Sequence, residues 1–162
     1  MDKVLSLLVL ISFAMAQVPN QKERDAILTF HSNKRERVKP PASDMQLMTY
    51  SQELERSAFN WVSRCKFQYP DSETYPEYQG TSMTVAMTGG SKPSIRNVIQ
   101  SWFEEEKNYT YANNSCTGHC GGYKQMIWAT SNEVGCAMKL CDRLESDMPK
   151  PVYLVACQYK PP

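Results

Sequence analysis

The residues of this chain that are best suited to chemistry are its six cysteines and two histidines. Cys116, His119 and Cys120 lie within five residues, and thiolate and imidazole are ligands that zinc prefers. A tetrahedral zinc site would still need a fourth ligand and reduced thiols. An even cysteine count in a chain with a secretory leader predicts three disulfide bonds instead, with fifteen pairings possible from the residues alone. The cysteines are Cys65, Cys116, Cys120, Cys136, Cys141 and Cys157.

The two histidines do not support catalysis. A Ser-His-Asp or Cys-His arrangement requires a histidine beside an exposed nucleophile. His31 falls on the apolar side of a predicted helix, and His119 lies between two cysteines in a surface stretch. Glu105 could act as a lone base, but nothing in the sequence supplies its partner. We therefore predict no catalytic residues and a protein that is not an enzyme.

The first 16 residues predict a secretory signal peptide. Lys3 supplies positive charge, residues 4–13 form an apolar run too short to span a bilayer, and Ala14-Met15-Ala16 fits a cleavage site. An uncleaved anchor is the competing interpretation. The expected mature chain, residues 17–162, is long enough for a single domain with its own core. No later segment is apolar enough to be a transmembrane helix.

Charge and sequons bear on the partners of a secreted chain. The 18 Lys and Arg nearly balance the 17 Asp and Glu, so no strong field would attract nucleic acid. The sequons that begin at Asn108 and Asn113 fall in a polar, aromatic stretch typical of a surface loop. We predict an extracellular glycoprotein with glycans at these two residues.

Three segments have apolar residues at helical spacing. They predict helices over 24–36, 51–65 and 92–107. Ser51 is the expected N-cap of the second helix, and Pro93 fits the first turn of the third.

The rest of the chain predicts loops and strands. Residues 66–82 contain two prolines and Gly80, which favour an ordered loop. Short runs rich in β-branched and aromatic residues then predict antiparallel strands over 124–130, 133–140 and 151–159. Helices followed by a small antiparallel sheet indicate an α+β layered domain.

Four sequence blocks appear together in a specific order. Residues 121–128 read Gly-Gly-Tyr-Lys-Gln-Met-Ile-Trp, and residues 155–161 read Val-Ala-Cys-Gln-Tyr-Lys-Pro. Upstream lie His-Ser-Asn-Lys-Arg at 31–35 and Trp-Phe-Glu-Glu at 102–105. Together they resemble the signatures of the CAP superfamily, which includes cysteine-rich secretory proteins, insect venom allergens and plant pathogenesis-related proteins. The chain looks most like the venom allergen-like proteins of parasitic helminths, blood flukes in particular.

The resemblance implies a fold and a disulfide pattern. The implied fold is a three-layer α-β-α sandwich with a small central antiparallel sheet. It also implies a central cleft in which two histidines and two acids can bind a divalent metal. The implied disulfide pairs are Cys65–Cys141, Cys136–Cys157 and Cys116–Cys120.

Three of the four metal-binding positions lack their ligand in this chain. The family's first histidine corresponds to Tyr69, its first acid to Thr81 and its second histidine to Gly122, whereas the second acid is kept as Glu105. Neutral hydroxyls are poor zinc ligands and one carboxylate is too weak alone. Recruiting His119 would still complete only half a site. We expect no metal and no cofactor.

Two apolar surfaces remain as candidate ligand sites. The resemblance implies sterol binding at an aromatic loop or fatty-acid binding between two helices, and core packing is the alternative role for the same side chains. The loop candidates are Phe67, Tyr69, Tyr75 and Tyr78, and the helix candidates are Ile27, Leu28, Ile95, Val98 and Ile99.

The sequence therefore favours a secreted CAP-domain protein that binds sterol or fatty acid at a parasite–host interface. The alternative is an effector that binds a host receptor, matrix or plasma protein. A metal-dependent hydrolase is a third class, and the missing metal ligands argue against it.

Overall fold

The computed structural model describes residues 18–142, 144 and 147–162. The predicted signal peptide, residues 1–16, lies outside the described residues. Three short 3₁₀ turns, at Pro76–Tyr78, Glu104–Asn108 and Tyr111–Asn113, supplement the main elements. These elements are α1 (Gln21–Arg35), β1 (Thr49–Tyr50), α2 (Gln52–Val62), β2 (Ser82–Gly89), α3 (Ile95–Phe103), β3 (Tyr109–Thr110), β4 (Ser115–Cys116), α4 (Gly121–Met126), β5 (Glu133–Leu140) and β6 (Val152–Lys160).

Side-chain caps determine where the helices begin. Asn20 and Glu23 form a reciprocal capping box at the start of α1, which places that start three residues before the prediction. Ser51 caps α2 as predicted. Ser94 caps α3, so Pro93 lies just outside the helix and not in its first turn.

The central sheet has the strand order β1-β5-β6-β2. Strands β5, β6 and β2 are antiparallel, whereas the two-residue β1 pairs in parallel with β5, so the sheet is mixed and not purely antiparallel. Alternate residues of a strand face opposite sides of its sheet. Val155 and Tyr159 accordingly pack with α1, α3 and α4, while Leu154 and Ala156 pack with α2. The predicted three-layer α-β-α sandwich is confirmed.

The strand prediction for residues 124–130 is wrong. Residues Gly121–Met126 form α4, and turns follow it. The β-branched and aromatic residues suggested a strand, but tertiary contacts outweigh that propensity. Tyr123 and Met126, three residues apart, are buried on one side of a helical turn. The sequence analysis also left β2 unassigned, because its residues, SMTVAMTG, have only weak apolar alternation.

An ion pair between the partly exposed Arg24 and the buried Glu55 joins three elements of the fold. The Arg24 guanidinium on α1 donates to both carboxylate oxygens of Glu55 on α2, at 2.7 and 2.8 Å. The Tyr50 hydroxyl on β1 donates to the same carboxylate at 2.7 Å. Removing one partner of such a cluster would leave a buried charge uncompensated. No motif or spacing in the sequence marks these three residues as partners.

The six cysteines form three disulfides, and these are the pairs implied by the resemblance. Cys136–Cys157 links directly opposed residues of β5 and β6. Cys65–Cys141 ties the chain after α2 to the end of β5. Cys116–Cys120 joins β4 to the start of α4. Among the helices of the described residues, none has the length and hydrophobicity to cross a membrane.

Candidate functional site

The cleft that the family resemblance implies for a metal ion is centred here on Glu105. Its Oε2 accepts hydrogen bonds from the backbone N–H of Gly122 at 2.8 Å and of Tyr123 at 3.2 Å. These amides lie in the first turn of α4, whose N-cap residue, Cys120, provides no side-chain cap. Because the first amides of a helix have no partner inside the helix, a carboxylate there satisfies them and interacts favourably with the helix dipole. Glu105 therefore caps α4 from a neighbouring element.

The three positions that the resemblance aligns with the other metal ligands have different surroundings. A Cβ atom at Gly122 would lie 2.8 Å from three side-chain atoms of Trp102, so a larger residue does not fit without a shift. Thr81 Oγ1 donates to the Tyr78 carbonyl and accepts from Gln158 Nε2, both at 2.7 Å. Tyr69 is 64% exposed. Within the described part of the chain, no three His, Cys, Asp or Glu side chains cluster closely enough to hold a metal ion.

Both histidines lie away from any catalytic arrangement. His31 is fully buried, with Nδ1 2.9 Å from the Ile27 carbonyl and Nε2 3.1 Å from the Tyr159 hydroxyl. Because a carbonyl can only accept, Nδ1 carries the proton and Nε2 accepts from Tyr159. Burial lowers the pKa of His31 to about 4, so the ring is neutral at physiological pH. His119 is exposed, and its carbonyl accepts from Asn108 Nδ2 at 2.8 Å.

The two sequons occupy different environments. Asn108 is half-buried, and its amide nitrogen is the one hydrogen-bonded to the loop closed by Cys116–Cys120. Asn113 is exposed, and its amide oxygen accepts from the Ser115 hydroxyl at 2.7 Å. Of the two predicted glycan sites, Asn113 thus has the freer amide nitrogen.

The structure also contains an apolar cavity that the sequence analysis missed. It has a volume of about 340 Å³ and lies where three segments meet: the turn after α1, the β3–β4 hairpin and the segment that follows α4. Its apolar walls include Val38, Met45, Tyr109, Tyr111, Ile127 and Trp128. The only hint in the sequence was the cluster of aromatic and proline residues in these segments, which we assigned to a strand and to surface loops.

Two lysines line the cavity together with its apolar walls. Lys39 is exposed, and the Lys124 ammonium lies 5.7 Å from the centre of the Tyr109 ring. Neither lysine forms an ion pair with a residue that the structure describes. The cavity is therefore apolar inside with positive charge among its lining residues.

Buried Arg35 holds the cavity walls in place. Its guanidinium donates to the carbonyls of Met126, Trp128, Ala129, Ser131 and Gln46 at 2.7–3.2 Å. Only 3% of Arg35 is exposed, and its desolvation lowers its pKa. Since these carbonyls belong to the segments next to Met45 and around Trp128, Arg35 positions two of the three cavity walls.

The four aromatic loop candidates separate into two pairs. Tyr75 and Tyr78 make edge-to-face contacts with Trp61, with ring centres 5.1 and 5.2 Å apart, so they pack the loop onto the domain. Phe67 is 55% exposed, and Tyr69 is more exposed still. The structure therefore leaves only Phe67 and Tyr69 available at the surface of this loop.

The helix candidates lie mostly in the core. Ile27, Ile95, Val98 and Ile99 are at most 6% exposed and belong to the apolar cluster between α1, α3 and the sheet. Leu28 is partly buried at the edge of this cluster. Packing accounts for these side chains.

Comparisons with known proteins agree with this architecture. The sequence profile described as "CAP: Cysteine-rich secretory protein family" matches residues 28–159. Human cysteine-rich secretory protein LCCL domain-containing 1 is 37% identical over 152 residues, covering 86% of this chain and 30% of the human protein. Human peptidase inhibitor 15 is 33% identical over 155 residues, covering 88% of this chain and 58% of the relative. The chain thus spans less than two thirds of the length of these curated relatives.

A solved structure shows the same likeness over nearly the whole domain. Venom allergen-like protein 4 of Schistosoma mansoni aligns with a TM-score of 0.70 and 28% sequence identity, covering 88% of this chain and 90% of that chain. This likeness agrees with the resemblance to blood-fluke proteins noted in the sequence. With the matched profile, the sandwich and the three disulfides in agreement, this chain belongs to the CAP family of cysteine-rich secretory proteins.

Proposed function

We propose that this chain is a secreted lipid-binding protein that holds a fatty acid or a sterol and uses neither a metal nor a catalytic residue. The observation that carries the proposal is the apolar cavity of about 340 Å³. Small-molecule sites in proteins commonly measure ~300–1,000 Å³ and combine apolar walls with a few polar groups. Met45, Tyr111 and Ile127 supply the first feature, and Lys39 and Lys124 supply the second.

The energetics favour an apolar ligand. A buried methylene contributes about 0.8 kcal/mol to binding, so even a partly enclosed acyl chain gains several kcal/mol. We prefer this cavity to the α1–α3 interface as the ligand site because Ile27 and Ile99 already pack in the core there.

The proposal that the protein lacks catalytic activity has its own support. His31 is buried against Tyr159, out of reach of a substrate, and all six cysteines lie in disulfides. Glu105 is occupied by the amides of α4. Extracellular action is supported by the three disulfides and by relatives that are named as secretory proteins.

The test is saturable binding of radiolabelled palmitate and cholesterol to the purified protein. Ala129 lines the cavity, so Ala129→Phe should fill part of it and weaken binding at least tenfold, on the order of 1.4 kcal/mol. Ala112→Phe places the same bulk at an exposed alanine outside the cavity and is the matched control. Absence of saturable binding of both ligands, or equal binding by both variants, would contradict the proposal.

A second candidate is an effector that binds a host extracellular protein. It is favoured by the exposure of Phe67 and Tyr69, two aromatic side chains that one residue separates in the same loop. Capture of one stoichiometric plasma or matrix partner, lost in Phe67→Ser/Tyr69→Ser, together with no extractable lipid, would favour this function over lipid binding.

A further inference from the structure

We propose that the rim of the apolar cavity docks onto an anionic lipid bilayer, so that a ligand enters the cavity from the membrane and not from water. The inference deepens the proposed function and rests on it for its purpose. Docking can nevertheless be measured without any ligand. It assigns a partner surface to a part of the molecule for which the sequence analysis predicted only strand and loop.

The first argument is the exposure of two amphipathic aromatics at the cavity. Trp128 is 48% exposed and Tyr111 is 62% exposed, although both line the cavity. Tryptophan and tyrosine combine an apolar ring with one polar group, and they concentrate where hydrocarbon meets headgroups. Half-exposed rings around an apolar opening therefore have the chemistry of a membrane interface.

A third apolar residue lies beside the same wall. Leu47 is 84% exposed. The Gln46 N–H donates to the Ala129 carbonyl at 3.0 Å, which places Leu47 next to the segment that carries Trp128. An isolated exposed leucine is ordinary, but one whose neighbour in sequence pairs with the cavity-lining Ala129 lies near the rim and can add to its apolar surface patch. Insertion of this patch into a bilayer would remove it from water.

The second argument is charge. Lys39, Lys124 and the exposed Arg37 place three basic side chains in the segments around the cavity, against two acidic ones, Glu36 and Asp44. Asp44 accepts from the Gln46 side-chain amide at 2.8 Å. Basic residues close to an anionic leaflet each strengthen binding about fivefold, and the effect decreases within a Debye length. The small positive excess predicts weak, salt-sensitive docking that needs the apolar patch as well.

The tryptophans of the chain supply a site-specific reporter. Trp61 is 1% exposed and Trp102 is 6% exposed, so Trp128 is the one tryptophan of the three that a membrane can reach. Titration with phosphatidylcholine vesicles that contain phosphatidylserine should shift tryptophan emission to shorter wavelength. Lipids brominated on the acyl chains should quench it. Vesicles of phosphatidylcholine alone should give a much smaller response.

Variants separate the rim from the rest of the surface. Lys39→Gln and Lys124→Gln should each weaken binding to anionic vesicles about fivefold. Lys22→Gln neutralises an exposed lysine in the first turn of α1, at the opposite end of that helix, and is the matched control. Flotation of Tyr111→Ser/Trp128→Ser should show loss of most of the bound fraction. The exposed loop residues Phe67 and Tyr69 offer a competing membrane surface, which Phe67→Ser/Tyr69→Ser would reveal.

Three results would overturn the docking proposal: no emission change with anionic vesicles, equal binding to neutral and anionic vesicles, or loss of binding in Phe67→Ser/Tyr69→Ser with the rim variants unaffected. Palmitate binding in vesicle-free buffer tests the cavity separately. Palmitate binding without vesicle binding would refute docking and leave the proposed function intact. Vesicle binding without binding of palmitate or cholesterol would refute the proposed function and leave docking intact.

Discussion

Helix α4 contributes to two regions of the molecule, one of which is tightly packed and the other an open cavity. Its first turn lies in the cleft around Glu105, where Glu105 and Trp102 occupy the surroundings of Gly122. Residues at its end and just beyond, including Lys124 and Trp128, line an open apolar cavity. Internal hydrogen bonds and packing occupy the surroundings of Gly122, whereas the cavity presents a volume of about 340 Å³.

This difference in packing suggests that the cleft has a structural role and that the cavity is the better candidate for ligand binding. A carboxylate whose oxygen already accepts two amide hydrogens gains little from a metal, so the cleft can persist for structural reasons alone. The cavity walls, by contrast, are mostly apolar and open, so a ligand that covers them would gain free energy by removing that surface from water. We therefore expect substitutions in the cleft to affect mainly the free energy of unfolding. Substitutions in the cavity walls should lower ligand affinity as well.

The largest expected effect follows from replacing Arg35, because it supports the cavity walls. Arg35→Met would remove a donor from five carbonyls, of which only those of Trp128 and Ala129 keep a backbone donor among the residues that the structure describes. We expect the free energy of unfolding to decrease by about 4 kcal/mol. Urea denaturation followed by circular dichroism measures this change. Arg37→Met, at an exposed neighbour, is the control and should change stability by less than about 0.5 kcal/mol. Similar losses in the two variants would show that the carbonyl contacts contribute little.

The next prediction concerns pH and the helix that precedes the cavity. His31 on α1 has a folded-state pKa of about 4, below its ordinary value of 6.5, because it is buried. Between these values the unfolded chain binds the proton more readily, so stability is complete above pH 6.5 and decreases as pH falls toward 4. Because a pKa difference of one unit corresponds to about 1.4 kcal/mol, the free energy of unfolding should decrease by about 3 kcal/mol over this range. Urea midpoints measured from pH 7 to pH 4 should show this slope, and His31→Gln should reduce it. A slope unchanged by His31→Gln would contradict the assignment.

A third test asks whether the cleft around Glu105 can hold a metal ion once a histidine is introduced. Gly122→His restores the residue type that the resemblance implies at this position, but its Cβ would meet Trp102 at 2.8 Å. We expect a loss of about 2 kcal/mol from overpacking and no bound zinc by metal analysis. At Gly121 a Cβ would have no neighbour within 4 Å, so Gly121→His is a matched control for helix propensity. Zinc bound stoichiometrically by Gly122→His would show that the cleft is still a metal site.

The sequence predicted much of the scaffold but not the cavity, for a physical reason. Helix caps depend on short-range chemistry, which is why Ser51 could be identified as a cap directly from the sequence, whereas the disulfide pairs were implied only by the family resemblance. The cavity depends on the backbone path of three separate segments, and Arg35 fixes that path through carbonyls up to 96 positions away. Carbonyl acceptors occur at every residue, so no residue type marks the partners of Arg35.

The error at residues 124–130 has the same origin. Ile127, Trp128 and Thr130 favour a strand by local propensity. The structure instead begins a short helix at Gly121, because Cys120 is held by its disulfide and Glu105 accepts the first amides. A carboxylate that acts on amides 17 and 18 positions later leaves no periodic signal in the sequence.

The substitution with the smallest expected effect tests whether a change in the cleft alters ligand affinity at the cavity through α4. Glu105→Ala removes the acceptor for the Gly122 and Tyr123 amides and should cost about 1 kcal/mol, as the loss of a helix cap does. Glu104→Ala, an exposed neighbour that contacts only Gln100 through its side chain among the described residues, is the matched control. Because α4 carries Lys124, fraying of its first turn should also weaken palmitate binding by a few-fold, whereas Glu104→Ala should not. Glu105→Gln keeps an oxygen acceptor and should recover most of both losses. If Glu105→Ala lowers stability but leaves ligand affinity unchanged, the cleft and the cavity are independent, and α4 acts only as a wall between them.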